Sequence, residues 1–265
     1  MFKSEITALS KSSKGITNTM RIIGIIPARY SSSRFPGKPL ADIHGKPMIW
    51  WVYQQAKKVQ EINDIYIATE DERIQNSCSQ HEIPVVMTSN KHPTGTDRVA
   101  EVATKISADI YVNIQGDEPM IEPKTISMVI KPFINGDDIQ VSNLMTKIKD
   151  PVDALNPTVP KVIASESGRG IYLTRSLSPF PKSSIDYYFY KQVCAYAFTP
   201  WALEFFQNTP RGRIEKIEDI EILRFIENGV YVKFIEVNSK TIAVDTEMDL
   251  VRVRDLLRNS RIARV

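Results

Sequence analysis

Residues 21–40 read RIIGIIPARYSSSRFPGKPL. The first eight, Arg21 to Ala28, are a short continuous apolar run, the pattern of a parallel strand buried on both faces. The rest, through Pro47, is a polar loop rich in Ser, Gly and Pro. Moving outward, the pattern predicts a helix from Met48 to Val59, a strand at 64–69 (DIYIAT), a helix at 72–81 and a strand at 84–87. A helix at 96–106 and a strand at 109–114 (DIYVNI) complete the series. Strands alternating with helices of this length predict right-handed βαβ units, hence an α/β fold with a mostly parallel central sheet flanked by helices. Such sheets bind ligands beyond the carboxyl ends of their strands. The chemistry is therefore to be sought in the loop after Ala28 and in the turn after Ile114.

Beyond residue 135 the rhythm becomes less regular. Prolines at 151, 157, 160, 179 and 181 punctuate the chain, and residues of about 150–200 read as an irregular inserted subdomain suited to a subunit contact. A strand follows at 191–198, then helices near 200–207 and 214–228, the latter closed by Gly229, a favoured residue after a helix end. Strands at 230–237 and 241–244 and a last helix from Thr246 to about Arg258 complete the chain. Residues 1–20 are rich in Ser, Thr and Lys without periodicity and read as a flexible tail, leaving 21–265 as one domain.

Composition narrows the function classes. Thirty-four Lys and Arg against 31 Asp and Glu leave a charge of +3 over 265 residues. That balance offers no electrostatic reason to expect nucleic acid or an anionic membrane. With 42% hydrophobic and 25% charged residues, there is ample area for a core. No apolar run approaches the ~18 residues of a membrane span, and no signal-peptide pattern opens the chain. Two distant cysteines, Cys78 and Cys194, exclude a disulfide scaffold, and the three histidines lack metal-ligand spacing. A reducing cytoplasm is the expected setting.

Three segments carry chemistry. In the loop after Ala28, Arg29, Arg34 and Lys38 lie within ten positions, with hydroxyls and Gly37 between them. Guanidinium forks, a mobile ammonium and a close backbone approach are what a polyphosphate needs. The loop is neither a GxxxxGK[ST] phosphate loop nor a GxGxxG fingerprint. In Asn113-Ile114-Gln115-Gly116-Asp117-Glu118-Pro119, Asp117 falls where a strand ends and a glycine lets the chain turn. Asp245, after Ile242-Ala243-Val244, is a second acid at the end of an apolar run. Magnesium takes few protein ligands, commonly one or two carboxylates, so the two acids beside a basic loop suggest metal-assisted phosphoryl or nucleotidyl transfer. The alternative is that Asp245 or Thr246 merely caps the last helix. In Thr94-Gly95-Thr96-Asp97-Arg98, Thr96 reads as a helix N-cap, while Arg98 and the free N–H groups could hold an anion or a base edge.

In this order, IIPARYSSSRFPGKPL, GKPMI, TGTDR, NIQGDEPMI and VDTEMDL resemble the 3-deoxy-manno-octulosonate (Kdo) cytidylyltransferase family, over residues 21 to about 257. The resemblance implies a homodimeric nucleotidyltransferase that couples CTP to a 2-keto-3-deoxy sugar acid with Mg2+, for lipopolysaccharide or capsule. It implies that Arg29, Arg34 and Lys38 bind the triphosphate, with Arg29, Lys38 and Asp117 catalytic. Ala28, Thr96 and Gln115 would also line the nucleotide, and Asp117 and Asp245 would hold the metal. Arg98, Gln115, Arg175, Gln192, Tyr196, Glu221 and Ile222 would face the sugar acid. Gln192 stands where the family usually carries His, and Ile222 where it usually carries Gln, which predicts a pocket re-tuned toward Kdo or a close relative. Glu70 replaces the usual Asp. Two other readings remain: CTP-dependent activation of a different small acid, and an inactive nucleotide-binding paralogue. A sugar-1-phosphate nucleotidyltransferase is disfavoured because Ala28-Arg29-Tyr30 replaces its paired glycines.

Overall fold

Ile22–Ala28 forms strand β1, whose isoleucines alternate between two cores. Ile22 and Ile26 enter one, Ile23 and Ile25 the other, and none is more than 2% exposed. The strand is thus buried on both faces, as its unbroken apolar run predicts. The computed structural model describes residues 20–31, 35–182, 188–239 and 241–258. Arg34 and almost all of the N-terminal tail lie outside the described residues.

A two-stranded ribbon, β2 (Asp42–Ile43) and β3 (Lys46–Pro47), leads into α1 (Met48–Ala56). Then come β4 (Asp64–Thr69), α2 (Glu72–Gln80), β5 (Val85–Met87), α3 (Gly95–Lys105) and β6 (Ile110–Ile114). Next are α4 (Pro123–Ile134), β7 (Val141–Lys147), α5 (Pro151–Leu155), β8 (Lys161–Ala164), β9 (Gly170–Thr174) and β10 (Tyr190–Phe198). The chain closes with α6 (Pro200–Asn208), α7 (Arg213–Glu218), α8 (Leu223–Glu227), β11 (Val232–Glu236) and α9 (Glu247–Arg258).

The main sheet runs β11-β7-β10-β6-β1-β4-β5, with β8 and β9 attached beside β10. Its β6-β1-β4-β5 portion is parallel, as is β11 on β7, while β10 runs antiparallel to both neighbours. The mostly parallel α/β class read from the sequence is therefore correct. Residues of α1, α2 and α4 fill the core on one face of the sheet and those of α3, α6 and α8 the core on the other. A smaller cluster joins Met48 and Trp51 of α1 to Leu250, Val253 and Leu257 of α9. From β1 the chain moves to β4 on one side and later returns to β6 on the other. That reversal opens a crevice between the carboxyl ends of β1 and β6, the place where such sheets bind ligands.

Several expectations need correction. The single helix expected at 214–228 is two, α7 and α8, because Asp219 takes a left-handed conformation (φ 50°) and ends the first. The carbonyls of Glu218 and Asp219, released there from a helix ladder, both accept from the Arg175 guanidinium. No strand forms at 241–244: among the described residues that segment joins no ladder, and the Val244 N–H donates to the Asp117 carbonyl. Within residues 150–200, the β8–β9 hairpin joins the main sheet through Tyr190 and Lys191 of β10. The cap of α3 is Thr94, not Thr96: its hydroxyl accepts from the Asp97 N–H, and Asp97 reciprocates.

Candidate active site

Two chain turns meet at the crevice. The β6 turn passes so close to β1 that a Cβ on Gly116 would lie 2.8 Å from the Pro27 carbonyl oxygen. Only glycine fits without moving backbone, so the turn is pressed against the end of β1 and Asp117 emerges beside Ala28. On the other side, the Gly37 N–H donates to the Tyr30 carbonyl at 2.8 Å and Gly37 adopts φ 72°. This closure of the basic loop delivers Lys38 to the crevice.

The resulting cleft has a volume of about 370 Å³, and its lining includes Ala28, Arg29, Lys38, Arg98, Gln115, Asp117 and Asp245. Lys38 Nζ donates to Asp117 Oδ2 at 2.7 Å and reaches Asp245 Oδ1 at 3.4 Å. Asp245 is brought there by the Val244–Asp117 backbone bond, 2.9 Å long. The helix-capping alternative for this segment falls to Thr246, which exchanges hydrogen bonds with Asp249 and leaves the Asp245 carboxylate facing the cleft. Among the described residues no group of three or more His, Cys, Asp or Glu is disposed to hold a metal. Two hard oxygen donors converging on one cation nevertheless fit magnesium, which completes its shell with phosphate oxygens and water.

Arg29 is exposed on the cleft wall, whereas Arg98 is 1% exposed. The Arg98 guanidinium pairs with Glu70 at 2.7 Å and also donates to the Thr88 hydroxyl and the Ser89 carbonyl. Burial lowers its affinity for the proton, the Glu70 charge opposes that, and Arg29 adds to the lowering. Glu70, uninterpretable from the sequence, is thus the counter-ion of Arg98. Thr96 is 1% exposed, and its N–H donates to Glu221 at 3.3 Å. Burial raises the Glu221 carboxyl, opposed by bonds from Thr94 and Thr96. Tyr196 is buried, stacks on Phe198 at 6.0 Å, and has its phenol raised well above the usual range by burial.

Three further residues expected to face the sugar acid make contacts within the protein. Arg175 spends its guanidinium on the carbonyls of Pro157, Glu218 and Asp219 and does not line the cleft. Ile222 is 1% exposed within the apolar core that also holds Leu223 and Phe225. Gln192 donates to Asn143 at 2.9 Å, and Asn143 in turn donates to the carbonyls of Val193 and Ala195 across a bulge in β10.

Sequence reasoning passed over two buried groups. Asn113 of β6 is 0% exposed, and neither atom of its amide has a protein partner among the described residues. A polar residue inside an otherwise apolar strand was the available signal, since buried amides are normally hydrogen-bonded. Glu118 is 4% exposed, and burial, reinforced by the adjacent Asp117, raises its carboxyl to about 7.

Residues 23–241 match the profile of a family described as cytidylyltransferase. The 3-deoxy-manno-octulosonate cytidylyltransferase of Lawsonia intracellularis is 42% identical over 238 residues, 88% of this chain and 93% of that one. The protein of the same name from Solibacter usitatus is 39% identical over 241 residues, 91% of this chain and 96% of its own. Among solved structures, a CMP:2-keto-3-deoxy-manno-octonic acid synthetase complexed with CTP superposes with a TM-score of 0.86 at 36% identity, covering 90% of this chain and 98% of that one. The 4-diphosphocytidyl-2C-methyl-D-erythritol synthase of Anaerococcus prevotii shares the fold, with a TM-score of 0.61 at 13% identity over 91% of this chain and all of that one.

Proposed function

The chain belongs to the cytidylyltransferase family and, within it, to the 3-deoxy-manno-octulosonate cytidylyltransferases, and we propose that it transfers CMP from CTP to Kdo with release of pyrophosphate. The product would serve surface-glycan assembly. The observation that carries this reading is the convergence of Lys38, Asp117 and Asp245 at the β1–β6 crevice.

In this mechanism the anomeric hydroxyl of the sugar acid attacks the α-phosphorus in line, and pyrophosphate leaves. Arg29, Arg34 and Lys38 bind and orient the triphosphate, with Ala28, Thr96 and Gln115 along the nucleotide. Asp117 and Asp245 would hold Mg2+, which supplies neutralisation of charge on the phosphate oxygens. Arg98 and Gln115, which line the cleft, are proposed to contact the acid, together with Tyr196 and Glu221. Orientation and charge neutralisation account for catalysis of this type, so no side-chain nucleophile is needed.

The reading of a re-tuned sugar pocket rested on Gln192 and Ile222. With Ile222 in the core and Gln192 held on Asn143, Kdo itself is the first acid to assay. Phe180 is 81% and Leu155 69% exposed, and Leu155, Leu177 and Tyr188 edge an apolar groove of about 350 Å³. Exposed apolar area of this kind marks an interaction surface, and it supports the proposed homodimer through the 150–200 region. No helix among the described residues is long and apolar enough to cross a membrane; the proposed setting is the cytoplasm, where CTP is available.

Pyrophosphate release with CTP, Mg2+ and Kdo tests the reaction. Release should require all three and fail with ATP, GTP or UTP. Absence of release with active-site concentrations verified by CTP binding would leave the inactive-paralogue reading in its place.

A further inference from the structure

The basic loop carries Lys38, yet its base is fixed from outside the cleft. Asp71 caps α2, accepting from the Arg73 N–H at 2.9 Å. The Arg73 side chain then folds back, its Nε on Asp71 Oδ1 at 2.9 Å and its Nη2 on Asp71 Oδ2 at 2.7 Å. This two-pronged pair fixes the plane of the guanidinium. That plane lies over the Tyr30 ring, with Arg73 Cζ 3.3 Å from the ring centroid. Tyr30 fills the space beside Gly37, where a Cβ would lie 3.1 Å from the ring, and its carbonyl accepts the Gly37 N–H. Lys38 follows Gly37 directly.

Neither Arg73 nor Asp71 lines the cleft. An exposed ion pair alone contributes little, but here it orients a stacking group against the closure of a substrate-binding loop. We propose that Arg73 is a positioning residue for the triphosphate: held flat by Asp71, it clamps Tyr30 and so sets the approach of Lys38. This rests on the CTP-dependent function above. Its role is geometric, so a flat, forked cation is required and charge alone does not suffice.

The test compares Arg73→Ala, Arg73→Lys, Tyr30→Phe and Tyr30→Ala in the full-length protein. Two quantities are read: equilibrium CTP affinity by calorimetry with Mg2+, and the separate KM values for CTP and Kdo. A cation–π contact at an exposed site corresponds to about a 2- to 5-fold change in affinity. Arg73→Ala and Arg73→Lys should therefore both weaken CTP binding at least about 2-fold, with KM for Kdo unmoved. Tyr30→Phe, which keeps the ring, should match the parent, and Tyr30→Ala should lose more than either Arg73 variant. Equal melting temperatures show that the losses are not unfolding. Full rescue by Arg73→Lys, together with an effect that vanishes at high salt, would mean distant charge attraction and overturn the clamp. Unchanged CTP affinity in both Arg73 variants would overturn it as well. Because CTP affinity is measured without turnover, these outcomes are separable from a failure to use Kdo.

Discussion

The backbone N–H of Val244 donates to the carbonyl oxygen of Asp117 at 2.9 Å. That bond ties a late loop to the turn after β6, and it is why two acids distant in sequence reach the same ammonium.

Asp117→Asn and Asp245→Asn should each lower kcat at saturating CTP by about 10²-fold or more, the scale seen when a stabiliser of developing charge is removed. A neutral amide is a poor magnesium ligand, so excess Mg2+ should restore part of the activity of the Asp245 variant. Steady-state kinetics across a magnesium titration checks this, and near-parental kcat in Asp117→Asn would remove that residue from the metal site.

Lys38→Ala should raise KM for CTP about 10- to 100-fold, the worth of a charged hydrogen bond, while KM for Kdo changes little. Initial-rate kinetics with each substrate varied in turn separates the two. The reverse split would assign the loop to the acid.

Gly116→Ala should destabilise the fold by about 1–3 kcal/mol, the usual cost of forcing an added carbon into a packed site. The obstacle is the Pro27 carbonyl oxygen, 2.8 Å from the new Cβ. Being backbone, it cannot swing aside. Urea denaturation should show the loss, with activity falling as the crevice is pushed open.

Arg224 is 3% exposed and its guanidinium meets both oxygens of Glu215, itself 0% exposed, at 2.9 and 2.7 Å. Arg224→Met should cost about 3–5 kcal/mol, because a buried carboxylate loses its main partner. Pairing it with Glu215→Leu should recover part of the loss. Chemical denaturation of the single and double variants measures the coupling.

Glu101 gives stability a pH dependence. Burial raises its carboxyl, but bonds from Lys105, the Ser89 N–H and His92 more than reverse this and bring it to about 2 from an ordinary 4.5. The folded form therefore binds this proton less readily than the unfolded form. The contribution is fully present above about pH 4.5 and is lost progressively as pH falls toward 2. Urea midpoints measured from pH 6 to pH 3 should decline less steeply in Glu101→Gln.

The parallel half of the sheet was legible because its strands are buried on both faces and so are written as apolar runs, Ile22–Ala28 and Ile110–Ile114 among them. Asp117 could be found because it follows the end of such a run, Lys38 because it lies in the basic loop that follows another, and Asp245 because an apolar run precedes it even though that run forms no strand. What sequence could not reveal depends on partners far along the chain. The break after Glu218 is set by a left-handed Asp219 and by Arg175. The burial of Ile222 is set by a core assembled from other elements. Helical periodicity across 214–228 gives no sign of either. Thr96 was misread as a cap because Thr94 and Thr96 both precede an apolar-periodic stretch, and only the reciprocal bonds with Asp97 distinguish them.

β10 runs against its neighbours. Ala195 sits opposite Ile114 and Phe198 opposite Tyr111, so Tyr190 to Cys194 project past the end of β6, and the β8–β9 hairpin is carried on that projection. The sheet therefore offers two mechanically separate supports. Parallel strands carry Ala28, Gln115 and Asp117 at the cleft, while the arm built on β10 stands outside its lining. Sequence drift along that arm can therefore accumulate without altering the register of β1 and β6, leaving the corner that holds Lys38 and Asp117 intact.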